Sequence, residues 1–159
     1  MRLILHTALF TIVAPGTLTV GVPALIIWLT GARPDGAPLV AAACAVLVTG
    51  IAVFLWCVFD FIVRGRGTPD PNRPPTELVT RGMFRLVRNP MYVGVVTVLA
   101  GEALLFLSAV LLAWAIVVAL GFHLRVVVYE EPTLARSFGA AWDDYRRRVR
   151  RWLPRPRAD

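Results

Sequence analysis

Residues 36–59 read GAPLVAAACAVLVTGIAVFLWCVF, twenty-four positions between Asp35 and Asp60 without one Asp, Glu, Lys or Arg. An α-helix rises about 1.5 Å per residue and the hydrocarbon core of a bilayer is about 30 Å thick, so this run is long enough to span. Outward from it, Arg2 and Arg33 enclose thirty residues of the same kind, and Glu102 and Arg125 enclose twenty-two. A shorter stretch, Met91 to Phe106, is apolar apart from Glu102 and suits one arm of a tight hairpin with the run that follows. The expected fold class is all-α. It is an integral membrane bundle of about four transmembrane helices, at 3–30, 38–63, 91–106 and 108–129, with a C-terminal amphipathic interfacial helix.

The composition points the same way. The chain has 159 residues, the length of one domain, so residues 1–159 are expected to form a single unit. Hydrophobic residues make up 57% and charged residues 17%, with mean hydropathy +0.67. That is more apolar surface than a globule of this size can hide from water, and it excludes a disordered chain. Cys44 and Cys57 lie thirteen positions apart within one expected helix, where they cannot pair, so a disulfide scaffold is excluded. The first apolar run is longer than the core of a cleavable signal peptide and is expected to remain as a span.

All seventeen basic residues are Arg. Six lie from Arg64 to Arg88 and eight from Arg136 to Arg157. The positive-inside rule then places the loop 64–89 and the tail 130–159 in the cytoplasm. Four spans return both termini to that side, in what is expected to be a bacterial plasma membrane. Arginines beside spans each gain about 1 kcal/mol from anionic lipid, so the net charge of +7 calls for a bilayer and not for nucleic acid.

The polar segments carry the candidate chemistry. Residues 64–75, RGRGTPDPNRPP, form an irregular loop without a phosphate-cradling pattern. Thr76 and Glu77 suit the start of a short helix ending near Arg88, before the Asn89-Pro90 break. Pro90 suits the first position of the third span, whose free N–H groups make an anion site beside Arg85 and Arg88. Glu102 lies roughly 16 Å into that span and needs a partner or a proton, with His123 and Arg125 as candidates. Glu130-Glu131 falls where the fourth span is expected to end: a solvated turn before Pro132, or a carboxylate pair for hydroxyls or a cation. Leu134, Phe138, Trp142, Tyr145, Val149 and Trp152 share one face of a helix that Pro154 ends and Gly139 divides or bends. No metal-ligand spacing is present, and no metal is expected.

The stretch RGMFRLVRNPMYVG (81–94), followed by EEPTLARSFGAAWDDYRRRVRRWLP (130–154), resembles the isoprenylcysteine carboxyl methyltransferase family, related to the membrane phospholipid N-methyltransferases. Arg88, Asn89, Pro90, Tyr92 and Gly94 match its R-[HN]-P-x-Y-x-G signature. Glu130, Glu131, Leu134, Phe138, Gly139, Tyr145, Val149, Arg151 and Pro154 match its second pattern. Asn89 stands where many members have His. The resemblance implies a membrane-embedded methyltransferase using S-adenosylmethionine, with its pocket at the cytosolic face between the two motifs. It implies cofactor binding by Arg88, Asn89, Pro90, Tyr92, Gly94, Glu130 and Glu131, and catalytic roles for Glu131 and Arg151. The acceptor would be a lipophilic molecule or a small thiol, carboxylate or amine. The alternative from the residues alone is a non-enzymatic four-helix transporter or scaffold, with Glu102 and His123 as a relay across the bilayer. A lipid-binding role of the basic tail is a third reading.

Overall fold

The computed structural model describes residues 15–34, 36–64 and 78–155. Among these the fold is all-helical. A wide turn, Thr17–Gly21, leads into α1 (Val22–Thr30), and α2 is the long helix Ala37–Arg64. A single 3-10 turn, Gly82–Arg85, precedes α3 (Pro90–Leu105). Then come α4 (Ala109–Arg125), a π-turn Val126–Glu130, α5 (Glu131–Phe138) and α6 (Ala140–Arg148).

Two helical stretches are long and apolar enough to cross a membrane, Leu39–Asp60 and Ala109–Phe138. The segments Thr17–Thr30 and Pro90–Leu105 are apolar but shorter. At 16 residues, α3 reaches about 24 Å, less than the hydrocarbon thickness. Residues 3–14 of the first expected span, and Thr76 and Glu77, lie outside the described residues. The large side chains left exposed on α2 and α4, among them Val48, Leu55, Trp56, Ile116, Leu120 and Leu124, are the apolar surface that such helices present to lipid.

Close backbone approach sets the packing of α2 on α3. A β-carbon on Gly50 would lie 2.7 Å from the Val98 nitrogen, and one on Gly94 would lie 3.0 Å from the Gly50 carbonyl oxygen and from the Phe54 nitrogen. Small residues that let backbones touch are how helices associate where lipid removes the hydrophobic drive. The hairpin from α3 to α4 is as tight as expected, with Ser108 accepting from the Leu111 N–H at 3.3 Å. Val95, Leu99, Ala115 and Val118 make its core, against Phe54, Phe122 and Trp114. The Trp114 indole donates to the Leu18 carbonyl at 3.0 Å and ties the N-terminal helix to α4.

Two expectations are corrected. Leu78–Thr80 is not helical, and the segment before α3 is a 3-10 turn followed by extended chain at Val87. Its cause is Gly82, with φ +60, whose backbone presses against the fully buried Asp60 at the end of α2. The second correction concerns Glu130-Glu131. The helix does not end there but continues to Phe138. Pro132 has no N–H for a regular turn. The π-turn just before it supplies a wider one, closed by the Glu131 N–H on the Val126 carbonyl. Pro23 is handled alike: the π-turn Thr17–Gly21 ends two residues before it.

Gly82→Ala is expected to destabilise the protein by roughly 1–3 kcal/mol, because it strains a left-handed backbone position. A β-carbon there would also lie 1.7 Å from Asp60 Oδ2. Gly121→Ala, on an open face of α4 with nothing within 4 Å, is expected to be neutral or slightly stabilising. Melting temperatures of the two variants in detergent check both.

Candidate functional site

The tail folds back onto the segment before α3. Leu134, Phe138, Trp142, Tyr145 and Val149, the apolar face expected from their spacing, converge with Leu78 in one cluster. They do so on two helices that meet at Gly139 (φ 48, ψ −121), the residue expected to divide them. The second helix stops at Arg148, and Val149 turns extended. Val87 and Arg150 then pair as two short parallel strands would, with the Arg88 N–H donating to the Arg150 carbonyl at 2.8 Å. The buried Tyr145 hydroxyl donates to the Phe84 carbonyl at 2.7 Å. Asn89 Nδ2 donates to the Arg151 carbonyl at 3.2 Å.

These contacts bring the two sequence motifs together. Arg151 donates to both oxygens of Glu131, at 2.7 and 2.8 Å, and Arg88 Nη1 lies 3.3 Å from the same carboxylate. The Arg88 side chain is 11% exposed and Glu131 18%, so water screens this cluster little. Burial alone would raise the Glu131 carboxyl, but the hydrogen bonds from Arg151 and the charge of Arg88 outweigh it and hold the carboxyl below its ordinary range. Burial pulls the Arg88 guanidinium down from its ordinary value, against the opposing field of Glu131. Its Cζ lies over the Trp142 ring, 5.4 Å from the centroid, and its buried Nε has no hydrogen-bond partner among the described residues. A buried donor without a partner beside a pocket is available to an acceptor that enters it.

Glu130 turns the other way. Successive helix side chains point about 100° apart, so the pair divides. Glu130 accepts from Arg125 Nε at 2.9 Å and from the Tyr92 hydroxyl, and Arg125 Nε also reaches that hydroxyl at 3.2 Å. Tyr92 stacks on Phe122 with centroids 4.3 Å apart. The result is two adjoining polar stations, Glu131 with Arg88 and Arg151, and Glu130 with Arg125 and Tyr92.

A pocket lies between the motifs. Arg88, Asn89, Glu130 and Glu131 form its polar part, and Leu78, Val79, Phe84, Leu134, Trp142 and Tyr145 its largely apolar wall. Of the remaining sequence-expected residues, Pro90 is fully buried at the start of α3 and Arg151 reaches the site through Glu131. Gly94 sits instead in the contact with α2. The reading of Glu130-Glu131 as a solvated turn is overturned by the ion pairs. Glu102 meets neither expected partner: His123 Nδ1 accepts from Trp152, and Arg125 is engaged by Glu130. The antiparallel hairpin explains this, since it sets residue 102 level with the start of α4 and His123 near its end. Two contacts of the site were missed. Trp142 was read as part of the tail's apolar face and not as the ring beneath Arg88, and Arg125 as a candidate partner of Glu102 and not of Glu130. The tail's spacing signalled burial of Trp142 but not against what.

Two helical stretches are thus long and apolar enough to cross a membrane, and an Arg–Glu–Arg cluster gathered around Glu131 on the second of them lies beside a pocket. The family model for phospholipid methyltransferases matches residues 38–141. The chain belongs to this family of membrane methyltransferases, which includes isoprenylcysteine carboxyl methyltransferase. No curated protein and no solved structure matches it.

Because the folded-state pKa of Glu131 is depressed, its stabilising contribution is present above the ordinary carboxyl value of 4.5 and is lost as pH falls through the folded value. The melting temperature in detergent is expected to fall in acid below that value. Glu131→Gln is expected to lower it at neutral pH and to flatten the acid limb. An acid limb unchanged in Glu131→Gln contradicts the assignment.

Proposed function

We propose that the protein is an S-adenosylmethionine-dependent methyltransferase whose donor pocket lies between the start of α3 and the helix α5, at the cytosolic membrane face. The observation that carries the reading is the meeting of Arg88 and Asn89 with Glu130 and Glu131 around one pocket. Family membership supplies the reaction class. The arginine-rich stretches 64–88 and 136–157, which contain or adjoin the site's segments in the sequence, support the cytosolic side and a four-span topology.

The residues fit such a donor. Its amino-acid end is a zwitterion, and a zwitterion matches an Arg–Glu pair charge for charge. Arg88, with its unpaired Nε, suits the carboxylate, assisted by the first N–H groups of α3, where Asn89 makes no side-chain cap. Glu131 suits the ammonium. The apolar wall, with Trp142 and Tyr145, suits the adenine. When bound, the donor supplies an electrophilic methyl group on a sulfonium. The chain's own residues bind, align and exclude water, and alignment alone supplies much of the rate in an in-line displacement. Glu130, adjoining Glu131, is placed to receive a proton from an amine acceptor; a thiolate or carboxylate acceptor needs none. A lipophilic acceptor would enter from the bilayer.

Arg88→Ala and Glu131→Ala are each expected to weaken donor binding at least tenfold, in line with the roughly 1.5–3 kcal/mol of a hydrogen bond to a charged group. Calorimetry with S-adenosylmethionine on the protein in nanodiscs measures it. Membranes containing the protein, incubated with methyl-labelled donor, are expected to carry the label on one lipid or thiol. Absence of donor binding by the wild type removes the reading.

A further inference from the structure

Three successive residues of the tail are held by three different parts of the fold. The Arg150 carbonyl accepts from the Arg88 N–H at 2.8 Å. The Arg151 carbonyl accepts from Asn89 at 3.2 Å, while its guanidinium grips Glu131. Trp152 Nε1 donates to His123 Nδ1 at 3.2 Å, with ring centroids 6.1 Å apart and planes tilted by 37°. The first two attachments lie on the site itself. The third reaches α4, two residues before Arg125.

Such anchoring has a physical need behind it. The helix α6 ends at Arg148, so no helical hydrogen bond fixes the chain beyond the Val149 N–H. Arg151 carries a long side chain whose geometry at Glu131 depends on where its own backbone is held. Asn89 holds that backbone from one side, and the Trp152–His123 contact holds it from the other. Trp also favours the membrane–water boundary, where its ring is apolar and its N–H seeks an acceptor.

We propose that His123 is a positioning residue for the donor pocket: acting through Trp152, it fixes Arg151 against Glu131. This rests on the reading of that pocket as the donor site. An indole N–H only donates, so His123 must present Nδ1 without a proton and keep its ring proton on Nε2. The requirement is for an acceptor at this place and not for an imidazole. Asparagine meets it with Oδ1. Phenylalanine keeps an aromatic ring but removes the acceptor. Trp152→Phe likewise keeps an aromatic ring and removes the donor.

The experiment is a double-mutant cycle on the full chain in nanodiscs, with His123→Phe, Trp152→Phe, the double variant and His123→Asn. S-adenosylmethionine binding is measured by calorimetry, and amide exchange is followed over residues 149–153. Each single phenylalanine variant is expected to bind the donor roughly threefold to tenfold more weakly, the scale of one hydrogen bond. The double variant is expected to be no worse than either single one, because both remove the same contact. His123→Asn is expected to restore binding. Protection over 149–153 is expected to fall in the phenylalanine variants while that of α4 is kept. Additive losses, binding by His123→Phe equal to wild type, or no rescue by asparagine overturn the proposal. If the wild type binds no donor, the donor-site reading has failed instead, and the exchange arm still decides whether His123 holds the tail.

Discussion

The structure of the site depends on one half-buried carboxylate shared by two guanidiniums. Glu131 stands on a helix continuous with the one that runs from Ala109, Arg88 on the chain just before α3, and Arg151 in the tail beyond α6. Charges removed from water must be paired or they destabilise the fold by several kcal/mol. No two of these three groups lie on the same element, so satisfying the carboxylate draws three elements to one point. The backbone bridge between Val87 and Arg150, and the Tyr145 bond to Phe84, brace the same junction with neutral contacts that pH does not touch. The pocket is the space this junction leaves beside it.

Delivering Glu131 to that point is a problem of helix register. A proline in the middle of a helix removes a donor and crowds the carbonyl four residues earlier. The chain widens the preceding turn at Val126–Glu130 and carries on, and it does the same before Pro23. Wide turns of this kind occur often at functional sites, where the inserted residue re-aims side chains. Here the turn lies where two adjacent glutamates part, one toward Arg125 and Tyr92, the other toward Arg88 and Arg151. Two neighbouring carboxylates thereby acquire separate cations, and their mutual repulsion is offset.

Much of this was legible in the residues. Two of the charge-free runs announced membrane-length helices, and the i, i+3 and i+4 spacing of Leu134, Phe138, Trp142, Tyr145 and Val149 announced a buried face that the structure then buries together. Trp152 followed the same spacing and went elsewhere, because the helix ends at Arg148 and the chain turns extended at Val149. The helix expected from Thr76 to Arg88 failed over its described part for a related reason. Local propensity favoured it, but a buried Asp60 on a distant helix claims the backbone at Gly82. Glu102 and His123 looked like partners because both lie in apolar runs, yet an antiparallel hairpin sets them at different depths.

By itself the sequence determined that the chain is helical, that it carries membrane-length apolar runs, and that Arg88 to Tyr92 and Glu130 to Arg151 are segments of unusual chemistry. Those are properties of composition and spacing, which need only neighbouring residues to be read. The tertiary structure alone decided that Glu131 and Glu130 serve different cations, that Gly94 packs against α2, and that Trp152 finds His123. Each of those outcomes turns on where two helix ends fall relative to one another. That is set by helix length, turn register and close glycine contacts acting across the whole bundle, and no local pattern encodes it.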